Sequence, residues 1–202
     1  MKKSFLIGIP IRDFKNPMSR LSQILTVEQR IELSKNLIIN LHNVFNTGET
    51  SVYVISNDPQ VESFCVTNGI GCFVSTQKGL NKEVTDFLEC NSDYKFWSIV
   101  HGDLPYITKY FANIWIQLCK SKESVIAESK DMGTPIFGGN KRLNVFSYGE
   151  KSFTRHTDML KEKSIIYERV LHKEFYFELD DEDDYLEFIK HPPRWYKKIN
   201  IT

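Results

Sequence analysis

Features that mark several classes of protein are missing from this sequence. Its 26 lysines and arginines balance 26 aspartates and glutamates, so it lacks the basic surplus by which proteins hold nucleic acid through bulk charge. No apolar run is long enough to cross a bilayer. The four cysteines form no C-x-x-C pair and no zinc spacing with histidine. We therefore predict no nucleic-acid partner, no membrane partner and a reducing, cytoplasmic compartment.

Motifs of several enzyme classes are also missing. The chain has no Walker glycine–lysine pattern and no Ser-His-Asp or Cys-His arrangement. It has no internal repeat and no low-complexity segment. The apolar run Phe5–Ile9 is too short for a signal peptide and ends at Pro10 without a cleavage pattern. We interpret this run as a first strand that is buried on both faces.

The first half of the chain alternates strands with helices. Strands are predicted over Phe5–Ile9, Val52–Ser56, Cys72–Val74 and Phe96–Val100, and helices follow the Thr26–Gln29 capping box, Asp58-Pro59, Gly79 and Ile107. This alternation favours an α/β fold with a mostly parallel, Rossmann-like central sheet and helices on both faces.

The second half has a different pattern. Strands are predicted over Val125–Ala127, Pro135–Phe137, Leu143–Phe146 and Ile165–Val170, with one helix over Ser152–Lys163. We expect this half to complete the sheet and to form a β-rich lid over its carboxyl edge. The prediction is one domain over residues 1–202: a nucleotide-binding half (1–122), an acceptor and metal half (123–190), and a tail (191–202) that packs on the surface or on a second subunit.

Carboxylates at two places are candidates for metal binding. Asp103 follows the strand Phe96–Val100 at a turn, at the sheet edge where open α/β folds bind ligands. If Tyr176–Asp180 is extended, Glu178 and Asp180 share one face, and with Asp103 they form an oxygen site for Mg²⁺ or Mn²⁺. The alternatives are an ordinary turn at Asp103 and an acidic helix start, which suits residues 181–184.

Two loops are candidates for anion binding. Arg12, Lys15 and Arg20 follow the first strand, where cations suit a triphosphate; the alternative is a solvated charged loop. The segment from Gly149 to Ser152 opens a helix, where backbone N–H groups and a hydroxyl bind anions and Arg155 or His156 can add charge. A capped helix without a ligand is the alternative there.

The order of these segments resembles the 2-phospho-L-lactate guanylyltransferase family over nearly the whole chain. The residues that carry the resemblance are Ile9-Pro10-Ile11-Arg12, Ser19-Arg20-Leu21, Thr26-Val27-Glu28-Gln29-Arg30, Val54–Pro59, Gly79-Leu80-Asn81, Gly102-Asp103-Leu104-Pro105, Gly133-Thr134, Gly149 with Ser152-Phe153 and His156, and Glu178-Leu179-Asp180.

The resemblance implies a nucleotidyltransferase of GT-A type that moves a nucleoside monophosphate from a triphosphate to a small phosphorylated acid. It implies metal ligands at Asp103, Glu178 and Asp180; nucleotide binding by Pro10, Arg12, Arg20, Gly79, Leu80 and Asn81; acceptor binding by Thr134, Gly149 and Ser152; and catalytic roles for Asp103, Arg20 and Lys15. It is compatible with a homodimer.

The chain departs from the family pattern at three positions. Met18 stands where the family has a lysine that contacts phosphate, and Lys15 is the candidate replacement. Pro135 stands in place of asparagine, and Glu178 in place of aspartate. A sugar-phosphate nucleotidyltransferase, a glycosyltransferase-like enzyme and a non-catalytic nucleotide-binding regulator are the alternative functions.

Overall fold

A single seven-stranded sheet runs through residues 3–196, the part of the chain that this computed structural model describes. The strands are β1 (Phe5–Pro10), β2 (Thr50–Ile55), β3 (Gly71–Phe73), β4 (Phe96–Val100), β5 (Ser124–Ala127), β6 (Ile136–Gly139) and β7 (Tyr167–Val170). The helices are α1 (Val27–Phe45), α2 (Pro59–Thr67), α3 (Leu80–Cys90), α4 (Lys109–Ser121), α5 (Ser152–Glu162), α6 (Lys173–Tyr176) and α7 (Glu182–Lys190).

The sheet is mostly parallel, as predicted. Its strand order is β3-β2-β1-β4-β6-β5-β7, and only β6 runs antiparallel to its two neighbours, β4 and β5. Gly138 of β6 lies opposite Ser98 of β4. A Cβ on Gly138 would lie 2.6 Å from the Trp97 carbonyl oxygen, so a residue without a side chain is needed for this close approach.

Helices cover both faces of the sheet, which confirms the predicted architecture. Phe5, Ile7 and Ile9 of β1 pack in one buried cluster with side chains of α1 and α4. Leu6, from the opposite face of the same strand, packs with side chains of α3 and α5. Alternate residues of a strand point to opposite faces, so the continuous apolar run of β1 corresponds to burial on both faces.

The predicted N-terminal caps of α1 and α2 are confirmed. The Gln29 backbone N–H donates to Thr26 Oγ1 at 3.3 Å and the Thr26 N–H donates to Gln29 Oε1 at 2.9 Å, which completes the capping box of α1. Asp58 caps α2 by accepting from the N–H groups of Gln60 and Val61. Each cap satisfies backbone donors that the first turn leaves free.

The predicted strand over Leu143–Phe146 and the β-rich lid are wrong. Residues 140–151 form a loop, and β5, β6 and β7 all belong to the central sheet. Leu143, Phe146 and Tyr148 of this loop pack on the sheet face instead, with the Phe146 ring 5.6 Å from that of Trp97. Because β6 already has a neighbour on each side, it offers this segment no free edge for pairing.

The predicted tail starts where α7 ends. The rings of Tyr196 and Phe188 pack with centroids 4.5 Å apart, and Trp195 Nε1 donates to the Pro105 carbonyl at 2.8 Å. Residues 197–202 of the predicted tail lie outside the described residues. No helix within residues 3–196 combines the length and the apolar character that a membrane span requires.

Candidate active site

Two cavities open at the carboxyl ends of β1 and β4, and they share part of their lining. The first, of about 730 Å³, is lined by Pro10, Ile11, Arg12, Asn57, Lys78, Gly79, Leu80, Glu83, His101, Gly102 and Asp103. The second, of about 680 Å³, is lined by Arg20, Leu80, His101, Asp103, Asp131, Gly133, Thr134, Tyr148, Gly149, Glu150, Lys151, Ser152, Glu178 and Asp180. Leu80, His101 and Asp103 border both cavities, so molecules bound in the two would meet there.

The predicted nucleotide-binding residues separate between the two cavities. Pro10, Arg12, Gly79 and Leu80 line the first, whereas Arg20 lines the second. Asn81 lines neither of them.

The side chain of Asn81 holds the loop that precedes α5. Its amide accepts from the Tyr148 N–H at 2.6 Å and donates to the Tyr148 carbonyl at 3.3 Å. Asn81 therefore ties the start of α3 to a loop that borders the second cavity.

A cation and a glycine stand at the mouth of the first cavity. Gly79 precedes α3 with a φ of 94°, a backbone conformation that side chains disfavour, and its N–H donates to Glu83 Oε1 at 3.1 Å. Lys78, one residue earlier, also lines this cavity. Sequence reasoning overlooked Lys78, although its place beside Gly79-Leu80-Asn81 was a usable signal.

Arg12 and Lys15 are both exposed, and only Arg12 lines a cavity. Lys15 is absent from the linings of both cavities described above, and its catalytic role stays a prediction. Met18 has a left-handed backbone, with φ 47° and ψ 48°, and its side chain packs against the buried cluster that contains Leu21. Packing is therefore a sufficient reason for an apolar side chain at this position.

The three predicted metal ligands border the second cavity, but they do not follow two strands. Asp103 follows β4, whereas Glu178 and Asp180 lie in a loop after the short helix α6. The Leu179 N–H donates to the Asp103 carbonyl at 3.0 Å. That hydrogen bond puts both acidic side chains of the loop beside Asp103, although residues 175 and 176 are helical rather than extended.

His101, to which the sequence analysis gave no role, lies within this acidic group. His101 Nδ1 lies 2.9 Å from Glu178 Oε1, and one ligand atom from each of His101, Asp103 and Glu178 lies within 4.8 Å of the others. Asp180 instead accepts from Arg20 Nη1 at 3.1 Å. The position of His101, two residues before Asp103 at the end of a strand, was the available signal.

The pKa of Asp103 reflects its burial and the carboxylates around it. Burial, followed by the negative charge of Glu178, raises the pKa of Asp103 to about 8. The buried Asp103 Oδ1 has no hydrogen-bond partner within residues 3–196. Glu178 and the other nearby carboxylates raise the pKa of His101 against the effect of burial. An unpaired buried oxygen among carboxylates is the environment that a divalent cation relieves, so these residues fit a metal ion.

The predicted acceptor residues form one hydrogen-bonded group in the second cavity. The Ser152 hydroxyl donates to Thr134 Oγ1 at 3.1 Å, and His156 Nδ1 lies 3.0 Å from the same oxygen. His156 is fully buried, and burial lowers its pKa to about 3. The expectation that His156 adds positive charge to this site is therefore wrong, because an imidazole buried among aromatic rings stays neutral.

Solved structures share this fold at low sequence identity. A CMP:2-keto-3-deoxy-manno-octonic acid synthetase complexed with CTP superposes with a TM-score of 0.61 at 12% identity, over 93% of this chain and 97% of that one. A protein of Mycobacterium tuberculosis H37Rv in complex with manganese gives 0.57 at 9% identity, over 94% and 100%. At these identities the likeness shows a shared fold.

The class of this protein and its family follow from the sequence. The family model described as guanylyl transferase CofC like matches residues 5–199, and the chain belongs to this family. The 2-phospho-L-lactate guanylyltransferase of Methanocaldococcus infernus is 31% identical over 176 residues, which are 85% of this chain and 77% of that protein. The resemblance seen in the ordered motifs is thereby confirmed.

Proposed function

We propose that this protein is a metal-dependent guanylyltransferase. It transfers GMP from GTP to the phosphate of a small phospho-carboxylic acid, such as 2-phospholactate or phosphoenolpyruvate, and releases pyrophosphate. The observation that carries the proposal is the shared border of the two cavities at His101 and Asp103. A triphosphate in the first cavity would present its α-phosphorus to an acceptor in the second.

The reaction needs positioning more than covalent chemistry from the protein. An acceptor phosphate oxygen attacks the α-phosphorus and forms the new P–O bond, while the bond to the bridging oxygen breaks and pyrophosphate leaves with the electron pair. No protein nucleophile takes part. The chain's contribution is to hold two anions in line and to oppose their charge.

Cationic residues border both proposed subsites. Arg12 and Lys78 line the first cavity and would face the triphosphate, and Arg20 and Lys151 line the second. Arg20 is held by Asp180 at 3.1 Å, which keeps its guanidinium beside the acidic group. We propose that Arg20 neutralises charge at the point where the two substrates meet.

The carboxylates are proposed to hold Mg²⁺ or Mn²⁺. Asp103 and Glu178 would be the ligands, with Asp180 and His101 as the neighbouring groups that complete or orient the site. A cation bound there supplies charge neutralisation at the phosphates. The buried, unpaired Asp103 Oδ1 is the observation that supports this assignment.

A screen of pyrophosphate release tests the proposal. Four nucleoside triphosphates are each paired with 2-phospholactate, phosphoenolpyruvate and a panel of sugar phosphates, with Mg²⁺ or Mn²⁺, and an Asp103→Asn variant is the control. Turnover of GTP with a phospho-acid is the expected result. Turnover only with sugar phosphates, or binding without turnover, would contradict it. Sedimentation velocity of the same preparation tests the prediction of a homodimer.

A further inference from the structure

A buried histidine lies directly behind the proposed acceptor subsite. His156, in the first half of α5, touches Thr134 through Nδ1 at 3.0 Å, and its Nε2 accepts from the Ser147 backbone N–H at 2.9 Å. The rings of Phe137 and Tyr148 pack against it, with centroids 5.0 and 4.8 Å away. Both ring nitrogens therefore have protein partners, and the ring itself does not line the cavity.

The hydrogen bond from Ser147 determines the tautomer of His156. A backbone N–H can only donate, so Nε2 carries a lone pair. Burial, followed by the charge of Arg155, lowers the pKa of His156 to about 3, and the ring is neutral at physiological pH. A neutral imidazole has one N–H. That proton is on Nδ1 and is donated to Thr134 Oγ1.

Counting hydrogen bonds at Thr134 leaves one proton unused. Its hydroxyl oxygen accepts from His156 and, at 3.1 Å, from the Ser152 hydroxyl. A hydroxyl oxygen has two acceptor lone pairs, so both are occupied. The hydroxyl proton of Thr134 donates to no acceptor within residues 3–196, and Thr134 borders the second cavity.

The backbone at the start of α5 offers the cavity fewer free N–H donors than a helix start usually does. The Ser152 N–H donates to the Gly149 carbonyl at 3.1 Å, and the Phe153 N–H donates to the Met132 carbonyl at 2.9 Å. Two N–H groups of the first turn are therefore used inside the protein. The hydroxyl of Thr134 becomes the defined donor on this wall.

We propose that His156 is a positioning residue that holds the Thr134 hydroxyl proton toward the cavity, where it donates to an anionic group of the acceptor. The inference rests on the proposed function, because it assumes that the acceptor occupies the second cavity. It also specifies the substrate class. A group that accepts hydrogen bonds, such as a carboxylate or a phosphate oxygen, suits this donor, whereas an ammonium, which has no acceptor, does not.

Two substitutions separate the two hydrogen bonds of His156. His156→Asn places an amide N–H near the position of Nδ1 and keeps a donor to Thr134, whereas His156→Gln places an amide oxygen near Nε2 and keeps an acceptor for Ser147. The Michaelis constants for 2-phospho-L-lactate and for GTP are measured for both variants. We expect His156→Gln to raise the acceptor constant about tenfold, the size of one lost hydrogen bond to a charged group. The GTP constant should change less than about twofold.

His156→Asn is the matched control. It should stay within about threefold of the wild type for the acceptor, because the donor to Thr134 is retained. Thermal unfolding of both variants shows whether each folds. Equal rises in the acceptor constant, or no rise in either variant, would overturn the role of His156.

A spectroscopic measurement tests the tautomer without any substrate. In long-range ¹H–¹⁵N correlation spectra of the wild type, the histidine signal that His156→Gln removes should be protonated on Nδ1 and unchanged between about pH 5 and pH 8. If that signal is protonated on Nε2, the network is refuted. If the wild type turns over neither phospho-acid while the Nδ1 signal is present, the proposed function and the acceptor half of this inference fail, but the network stands.

Discussion

Replacing Asp103 with asparagine should abolish transfer and at the same time make the metal-free protein more stable. The carboxyl of Asp103 is buried next to Glu178, and one of its oxygens has no partner within the described residues. An amide of the same shape carries no charge, so it removes the repulsion from the neighbouring carboxylates. The same change removes a proposed metal ligand, and activity and stability should therefore move in opposite directions.

The stability difference between Asp103→Asn and the wild type should increase with pH. The pKa of Asp103 rises from 3.8 in the unfolded chain to about 8 in the folded protein. Between these values the folded protein holds a proton that the unfolded chain has lost, and stability falls as pH rises. The contribution is fully present below the unfolded pKa and is lost once pH passes the folded pKa. The upper limit of the slope is about 1.4 kcal/mol per pH unit.

The asparagine variant lacks this loss, so its advantage over the wild type should grow with pH. Over the two pH units from about pH 5.5 to pH 7.5, this slope allows the stability difference to grow by at most about 2.7 kcal/mol. Because Asp103 titrates together with a neighbouring group, we expect about half of it. That corresponds to a growth of about 3–5 °C in the difference between the two melting temperatures.

The assay is thermal unfolding in the presence of a chelator at several pH values, followed by the same series with Mn²⁺ or Mg²⁺. The cation should raise the melting temperature of the wild type and not that of the variant, because a ligand that binds only the folded state stabilises it. Asp158→Asn is the matched control, since Asp158 is exposed and pairs with Lys161 at 3.0 Å on the surface of α5.

Three results would refute the reasoning. A variant that is no more stable than the wild type at about pH 7.5 would mean that Asp103 carries no electrostatic cost in the folded protein. A fully active Asp103→Asn enzyme would remove this carboxylate from the metal site. A pH-independent gain equal to that of Asp158→Asn would show that the effect is not specific to the buried group.

Further predictions concern the acceptor and the loop after β1. Ser152→Ala removes one of the two donors that fix the Thr134 hydroxyl, so it should raise the Michaelis constant of the acceptor by the equivalent of about 1–2 kcal/mol and that of GTP much less; initial-rate kinetics measures both, and equal effects would argue against an acceptor site there. If Lys15 replaces the lysine missing at Met18, Lys15→Ala should raise the GTP constant at least about tenfold and adding Met18→Lys should recover part of it. Additive effects without rescue would remove Lys15 from the mechanism.

The sequence alone was sufficient for the elements whose signals are local. The capping box of α1 joins residues three positions apart, and the cap of α2 joins Asp58 to Gln60 and Val61, so the residues that form each cap are neighbours in the sequence. Strands β1 and β4 are continuous apolar runs, and the alternation with helices restricts the topology to a largely parallel sheet. The order of the motifs then identified the family.

The strand predicted at Leu143–Phe146 shows where local patterns mislead. Leu143 and Phe146 are buried in the cluster that covers the sheet face near Trp97. In the sequence, apolar residues that pack on a sheet look the same as apolar residues of a strand. Whether a segment pairs depends on a free edge, which is a property of the assembled sheet. Because β6 lies between β4 and β5, none of these three strands has a free edge for the segment.

The residues of the candidate site also fall into two groups: those that the sequence identified and those that only the structure revealed. Asp103, Glu178 and Asp180 were recognisable as carboxylates in a family order, and a single sequence could suggest that they meet. The pairing of His101 with Glu178 across 77 positions, and the burial of His156 behind Thr134, were decided only by the tertiary structure. Their chemistry depends on which groups surround a ring in three dimensions, because burial and neighbouring charge determine protonation, and neither is encoded in the residues next to them in the chain.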